Sequence, residues 1–335
     1  MEFGDILRVC AECDEVNVPL RRAEKRFLND LNQKVRYPPP KKEVVRTPAD
    51  KALVLLQAAL GGLHLDDWTL RGEQTAMLDT SARLLGCCAE SLAVAGRGGG
   101  LGCAVSLRLM RSVRLRLWMD AERGQLKQLP GVGDTMSGRL EASGIITLTD
   151  LGRSTSVNVD AITGRKHPFG NGIRHAALQL LSRALTASVS RRQMGDGRQE
   201  LQVRVEPAFQ TTDPFSDGYI EPPDDAYAPP PTGWRRNDTN FQLVVYHDGQ
   251  VLFSIVYCRW YVGEILLTRP DIIIRMTRQG QESPSSSSPL MLFRKINREG
   301  IHSATLPVEA IEKDVTIHLW LICSGVCGMD VADVR

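Results

Sequence analysis

The sequence predicts a multidomain α+β protein made of a helical bundle (residues 1–120), a helix-hairpin-helix domain (121–190) and an antiparallel β-sandwich with long insertions (198–335). Apolar residues recur at helical spacing in the first part of the chain. A Leu-Pro-Gly-Val-Gly turn follows at Leu129 to Gly133, and alternating segments rich in β-branched residues dominate after Ser190. A chain of 335 residues that is 42% hydrophobic is long enough for two or three such domains.

Helices are expected over segments in which apolar residues fall on one face: Phe3 to Val16, Leu20 to Leu31, Ala49 to Leu60 and Glu73 to Ala95. Pro48 suits the first position of the third helix, which Gly61 and Gly62 should close. The glycine run from Gly96 to Gly102 predicts a flexible turn after the long helix.

Gly131 and Gly133 define the predicted hairpin. Neither glycine carries a Cβ, so the backbone can turn sharply and approach a phosphate closely. The N-terminus of the following helix adds unpaired N–H groups and a partial positive charge. Gly144 is expected to end that helix, and Thr147 or Thr149 to cap the next one. This pattern predicts a nucleic-acid-binding hairpin, and the alternative is a helical hairpin that only packs.

Basic residues precede the hairpin. We call Arg108, Arg111 and Arg114 the arginine track, because their spacing of three places them near one face of a helix. Such a track predicts contact with a sugar-phosphate backbone, and the alternative is a solvated helix face. The net charge of the whole chain is only +2, so binding must depend on local clusters of this kind.

Strands are expected where apolar and polar residues alternate or β-branched residues cluster: Leu201 to Glu206, Phe241 to Tyr246, Val251 to Phe253 and Val315 to Leu321. Asp248 and Gly249 predict a tight hairpin between two of them. Strands without helical crossovers favour a β-sandwich. The Pro- and Asp-rich segment from Asp213 to Pro231 is expected to be a disordered loop.

Catalytic, metal and membrane functions find little support in the sequence. The chain lacks a phosphate loop of the form Gly-x-x-x-x-Gly-Lys-Ser/Thr, and its six histidines are scattered away from any nucleophile setting. The pairs Cys10/Cys13 and Cys323/Cys327 suggest metal ligands, but burial is the better expectation for these thiols and for those of Cys87, Cys88, Cys103 and Cys258. We therefore expect no catalytic residue, no metal and no bound cofactor. The absence of a signal pattern or a long apolar run predicts a soluble, unsecreted chain.

The order of domains, together with several motifs, resembles the Sec sixty-three (Brl) homology domain. It is most similar to the version at the C-terminal end of Ski-two-like superfamily 2 DNA helicases of the meiotic crossover (Mer-three) type. The motifs are Glu2 to Ile6, Leu20 to Lys25, Lys34 to Pro38, Leu55 to Gly62, Leu115 to Trp118, Gln125 to Gln128 and Arg165 to Gly170. The last is similar to the family's Asn-Pro-Pro-Phe-Gly signature.

The resemblance implies a non-motor, accessory region of an ATP-dependent DNA helicase that acts in meiotic homologous recombination in the nucleus. Glu73 to Ala95 matches the family's ratchet helix, with Arg83 facing the translocating strand. The hairpin domain would grip the backbone of single-stranded or branched DNA without reading sequence, and an immunoglobulin/fibronectin-like sandwich would dock a protein partner. ATP and Mg²⁺ would act only through motor domains upstream in cis, and no membrane contact is expected.

The residues expected to contact nucleic acid are Gly131, Val132, Gly133, Lys127, Arg139, Arg108, Arg111, Arg114 and Arg83. Two other functions stay open. One is a protein-interaction module like the related cassettes of spliceosomal helicases, and the other is a translocation component of the endoplasmic reticulum. The segment 260–288 and the glycine run near Gly98 depart from the family pattern, which raises the hypothesis of an imperfect gene model.

Overall fold

The computed structural model describes residues 3–39, 44–94, 99–118, 123–181, 184–193, 199–207, 241–247, 250–257, 302–308, 317–323, 326 and 330–332. The chain divides into two compact units, Met1–Ala121 and Glu122–Arg335. None of the helices in the described part of the chain is long and apolar enough to span a bilayer.

The first unit is helical, as predicted. Its helices are α1 (Phe3–Glu12), α2 (Lys25–Asn32), α3 (Pro48–Leu60), α4 (Trp68–Val94) and α5 (Gly99–Leu115). Helix α4 begins at Trp68 rather than at Glu73, because the Asp67 carboxylate accepts hydrogen bonds from the N–H groups of Thr69 and Leu70 at 2.7 and 3.2 Å. The predicted turn at Gly96 to Gly102 is too long, since Gly99 to Gly102 belong to α5.

Helix α3 forms the centre of the first unit. Every residue from Lys51 to Leu60 is buried, as expected for a helix that is apolar all round. Thr47 and Asp50 form a capping box at its start, and Pro48 occupies the first turn as predicted. The buried amide of Gln57 is satisfied because it accepts from the Tyr37 N–H at 2.7 Å and donates to the Tyr37 carbonyl at 2.8 Å.

A buried charge network ties three of these helices together. The ammonium of Lys51 on α3 is fully buried and lies 2.6 Å from Glu24 Oε1 and 2.9 Å from Glu73 Oε2 of α4. It also donates to the Pro19 carbonyl at 3.0 Å. Arg21 completes the network through contacts of 2.8 Å with each of the two carboxylates. Two cations therefore balance two anions where unpaired charge would be costly.

The pKa of Glu24 reflects this network. Burial desolvates its carboxylate, which raises the pKa, but hydrogen bonds from Lys51 and Arg21 outweigh that effect. The pKa of Glu24 is therefore held below its ordinary value.

Three of the sequence motifs meet in the first unit. A Cβ on Gly4 of α1 would lie 2.7 Å from the Tyr37 ring, so a side chain there would displace the ring. Tyr37 also packs edge to face against Trp118 at 6.0 Å between ring centroids, and the Arg36 guanidinium lies over both rings. Glycine at position 4 is thus required by close packing of α1 on the segment after α2.

No disulfide bond joins the cysteines of the described residues. Cys10 and Cys103 are buried, and burial raises the pKa of these thiols to about 11 and about 12. The expectation of burial is wrong for Cys87, which is exposed on α4. Among the described residues, no group of three or more His, Cys, Asp or Glu side chains is arranged to hold a metal ion.

The second unit begins with short helical elements. A 3₁₀ helix (Gln125–Gln128) is followed by α6 (Asp134–Ala142), α7 (Leu148–Arg153), α8 (Ser156–Thr163) and α9 (Phe169–Leu181). The helix-hairpin-helix pattern predicts a helix before the hairpin, and the described residues directly before it form a 3₁₀ helix of four residues instead. The predicted ends are confirmed at Gly144, with φ +84°, and at Thr147, which caps α7 in a capping box with Asp150.

Gly170 sets the packing of α9 on α8. A Cβ at this position would lie 2.3 Å from the Ser156 carbonyl oxygen and 2.9 Å from the Asp160 carboxylate. The Gly170 N–H donates a hydrogen bond to Asp160 Oδ1. The glycine of the Pro-Phe-Gly motif is therefore dictated by contact between α9 and the backbone of α8.

The strands of the second unit are antiparallel. One sheet contains β1 (Leu185–Gln193), β2 (Gln199–Pro207) and β5 (His302–Val308) in the order β1-β2-β5. The other contains β3 (Phe241–His247), β4 (Gln250–Tyr257), β6 (Ile317–Cys323) and β7 (Val331–Ala332) in the order β4-β3-β6-β7.

The predicted boundaries of this region differ from the structure. Strand β1 starts at Leu185, inside the range predicted for the hairpin domain. His247 pairs with Gln250, while the predicted turn at Asp248 and Gly249 lies outside the described residues, as do the segments 213–231 and 260–288. Packing of the two sheets as a sandwich stays a prediction.

Replacing Glu24 with Gln should lower stability and flatten its acid dependence. Removing one partner of a buried ion pair costs about 3–5 kcal/mol. The contribution of Glu24 is present in full above its ordinary pKa of 4.5 and is lost as the pH falls through the lowered folded-state pKa. Denaturant unfolding from pH 7 to pH 3 measures both effects. Glu90→Gln, at an exposed position on α4, serves as the matched control. If the free energy of unfolding of Glu24→Gln falls with pH as steeply as that of the wild-type protein, the role given to Glu24 is contradicted.

Replacing Gly170 with Ala should destabilise the second unit by about 1–3 kcal/mol, because the new methyl group overpacks the α8–α9 contact. Gly172→Ala, in the same helix, is the control, since its Cβ would meet no atom within 4 Å. That change should be neutral or stabilise the helix by up to about 1 kcal/mol. Thermal unfolding of the two variants distinguishes the sites, and equal melting temperatures would refute the packing argument.

Candidate nucleic-acid interface

The hairpin of the second unit is a tight turn over buried leucines. Leu126 and Leu129 are buried, and the Val132 N–H donates to the Leu129 carbonyl at 3.1 Å. Pro130 and Gly131 occupy the two central positions of this turn, with Gly131 at φ +78°, as a type II turn requires. The buried side chains of Leu126 and Leu129 thus anchor the turn. Its residues Pro130, Gly131 and Gly133 are exposed.

Backbone donors are available on the exposed side of this turn. Gly133 is the N-cap of α6 and forms no side-chain capping bond. Within the described residues, the N–H groups of Gly131, Gly133, Asp134 and Thr135 donate to no protein acceptor. Free N–H groups at a helix N-terminus are suited to bind an anion. The prediction for Val132 is wrong as far as its N–H is concerned, because that group closes the turn.

The two hairpin glycines differ in what the fold demands of them. Gly131 needs its left-handed backbone, in which other residues are strained. Gly133 has φ −93° and ψ −177°, which any residue adopts, and a Cβ there would meet no atom within 4 Å in the described structure. Glycine at position 133 is a favoured residue for the N-cap of α6. Its missing Cβ also leaves open space in which an external group can approach the backbone closely.

Lys127 is held by an ion pair in the free protein. Its ammonium lies 2.5 Å from the Asp134 carboxylate, at the first residue of α6. The Asp134 side chain is 80% exposed and the Lys127 side chain 32% exposed. A carboxylate at this position stabilises the helix dipole. It also repels an incoming phosphate. Contact between Lys127 and the nucleic-acid backbone stays a prediction.

Arg139 has a structural contact as well. Its Nη1 donates to the Thr163 carbonyl at 2.9 Å, at the end of α8. This bond satisfies a carbonyl that the helix leaves unpaired and places a cation at its C-terminus. Arg139 is exposed, so its remaining N–H groups face solvent, and phosphate contact by this residue stays a prediction.

Glu141 fixes the orientation of the hairpin. Its Oε1 accepts a hydrogen bond from the Gly124 N–H at 2.8 Å and another from the Ser137 hydroxyl at 2.7 Å. These bonds join the residue before the 3₁₀ helix to α6. The two elements that flank the exposed turn are therefore held in one arrangement.

The arginine track of the first unit is wrong as a continuous surface. Arg111 is 1% exposed, and the Arg108 guanidinium lies over the Phe3 ring at 5.5 Å, whereas Arg114 is exposed. Arg108 and Arg114 are separated by two steps of three residues, so their directions around the helix axis differ by about 120°. Since α5 packs against α1, α3 and α4, this rotation leaves Arg114 at the surface and buries Arg111.

Arg83 is exposed on α4 in the first unit, and Arg114 is exposed on α5 of the same unit. These positions are compatible with contact to a strand that lies along the first unit. The role of α4 as a ratchet helix stays a prediction.

Sequence reasoning missed two cations in the second unit. Arg165 and Lys166 are exposed on the segment between α8 and α9. The Arg165 guanidinium lies over the Phe169 ring at 5.9 Å, and Phe169 Cε2 is 3.9 Å from where a Gly131 Cβ would lie. The available signal was three successive residues with basic side chains, Arg165 to His167, which the sequence analysis used only as part of a family motif.

Comparison with known proteins supports the resemblance. A family model described as the Sec63 Brl domain matches residues 1–254. The chain is 27% identical over 189 residues to the ATP-dependent DNA helicase homolog MER3 of Arabidopsis thaliana, and this stretch covers 53% of the chain and 16% of that relative. It is 27% identical over 184 residues to the probable ATP-dependent DNA helicase HFM1 of Xenopus tropicalis, covering 53% of the chain and 14% of that relative.

The matched stretch is thus a small part of each relative. The family model, in contrast, covers about three quarters of the chain, and the relatives are helicases of the type that the motifs indicated. The resemblance is confirmed, and the chain belongs to the Sec63 Brl domain family.

Proposed function

We propose that this chain is the non-motor, nucleic-acid-binding region of an ATP-dependent DNA helicase that acts in homologous recombination during meiosis. The observation that carries the proposal is the hairpin, where Gly133 leaves open space beside the free N–H groups of α6. The relatives named MER3 and HFM1 are described as DNA helicases, which supports DNA as the polymer.

Binding at this hairpin is independent of sequence. Backbone N–H groups hydrogen-bond phosphate oxygens, which are the same at every nucleotide, and base edges stay unread. A helix N-terminus contributes a partial positive charge to the same oxygens. The hairpin is thus a grip on single-stranded or branched DNA, while the exposed Arg83 and Arg114 contact a strand on the first unit.

The remaining parts of the proposal follow the family resemblance. Motor domains in cis supply ATP hydrolysis with Mg²⁺, and α4 serves as the ratchet helix. The two antiparallel sheets pack as an immunoglobulin/fibronectin-like sandwich that docks a protein partner. The protein works in the nucleus.

A protein-interaction module is the second candidate function. The Lys127–Asp134 ion pair favours it, because the carboxylate lies at the point where a phosphate would bind. This candidate predicts negligible affinity for nucleic acid. Two variants of the hairpin separate the two functions, because one is expected to weaken DNA binding and the other to tighten it.

Gly133→Ala should weaken binding of single-stranded DNA about tenfold or more, because the new methyl group keeps phosphate away from the free N–H groups. Each charge-assisted hydrogen bond lost in this way contributes about 1.5–3 kcal/mol. Fluorescence anisotropy with a labelled oligothymidylate at low salt measures the change. Gly138→Ala is the matched control within α6, because its Cβ also meets no atom within 4 Å. Melting temperatures verify folding, because Ala is less favourable than Gly at an N-cap. Equal affinities of the two variants would exclude the hairpin as the binding site.

Asp134→Asn should tighten binding about three- to tenfold while slightly destabilising the protein. The change releases Lys127 and removes a repulsive charge, but it also removes a favourable helix-dipole contact of about 0.3–1 kcal/mol. The salt dependence of the affinity should steepen by about 0.7, as one additional cation engages a single strand. Anisotropy titrations across salt concentrations test this, and unchanged or weaker binding would favour the protein-interaction module.

A further inference from the structure

The segment between α8 and α9 carries two exposed cations that are not part of the hairpin. Helix α8 ends at Gly164, with φ +69°, and α9 starts at Phe169. Arg165 and Lys166 lie between these points, and both are exposed. In the described structure neither side chain forms an ion pair, in contrast to Lys127.

The segment borders the hairpin at both of its ends. At one end, Arg139 of α6 donates to the Thr163 carbonyl, and its Nη1 lies 3.3 Å from where a Gly164 Cβ would be. At the other end, Phe169 lies 3.9 Å from the corresponding position at Gly131. The cations of the segment are therefore neighbours of the exposed turn.

Arg165 is held in an orientation suited to an anion. Its guanidinium lies over the Phe169 ring at 5.9 Å, which restrains the side chain and leaves the N–H groups at its edge to donate. The carboxylate of Asp160, on the preceding helix α8, has other partners. It accepts from the Gly170 N–H and lies 3.5 Å from His167 Nδ1. The charge on Arg165 is thus not neutralised within the described structure.

We propose that Arg165 and Lys166 bind a second phosphate of the same DNA strand, next to the phosphate held by the hairpin. The inference rests on the proposed function and extends it, because it turns a single contact into a grip on two successive phosphates. Arg165 donates its edge to the phosphate oxygens, and the Lys166 ammonium adds a flexible charge. The segment between α8 and α9 contributes most of the salt dependence of DNA binding, since the hairpin binds through neutral backbone groups.

The test compares the double variant Arg165→Ala/Lys166→Ala with Arg153→Ala, an exposed arginine at the end of α7. Affinity for a labelled oligothymidylate is measured by anisotropy from low to moderate salt. We expect the double variant to bind about tenfold more weakly at low salt, with a salt slope shallower by about 0.7 for each lost contact. Arg153→Ala should match the wild-type protein. Arg165→Lys alone should keep the wild-type slope, because the charge stays.

The outcomes separate this inference from the proposed function. If Gly133→Ala weakens binding but the double variant behaves as Arg153→Ala does, the second phosphate contact is refuted and the hairpin stands. If neither Gly133→Ala nor the double variant changes the affinity, or the wild-type protein does not bind, both ideas fail. Circular dichroism melting of each variant shows that lost binding does not reflect lost folding, since the replaced side chains are exposed.

Discussion

The buried ammonium of Lys51 is the constraint on which the helical unit depends. Apolar contacts specify the alignment of helices less strictly than a buried charge does, because volume-conserving exchanges of apolar side chains are tolerated. An ammonium without solvent is tolerated only where carboxylates reach it, and Glu24 and Glu73 must both do so. The start of α2 and the first turns of α4 are therefore tied to one point on α3, and Arg21 keeps that point neutral.

In the second unit, local backbone geometry determines the arrangement of the hairpin more than charge does. Buried leucines and Glu141 hold the exposed turn, while its N–H groups and Gly133 are left unused by the fold. The charged side chains of the predicted site, Lys127 and Arg139, have internal partners. In the described part of the chain, Arg165 and Lys166 form no ion pair, so positive charge without a carboxylate partner lies on the segment beside the hairpin.

The sequence predicted features that short-range chemistry determines. Thr147, Pro48 and Gly144 hold their predicted positions, because a cap or a positive φ depends on neighbours along the chain. Features that depend on tertiary contacts were not predictable in this way. The burial of Arg111 depends on which face of α5 packs, and the Lys127–Asp134 pair forms only once the turn is closed. The hairpin's first helix was overestimated because a 3₁₀ turn has no distinct periodicity.

The absence of space for a side chain at Gly170 has a consequence for binding entropy. Because the backbones of α8 and α9 touch, the segment that joins them has both ends fixed at a short separation. A loop restrained in this way has little conformational freedom to lose when it meets a ligand. The phosphate contact proposed for this segment would therefore cost little ordering entropy, and preorganisation of this kind raises affinity without any additional contact.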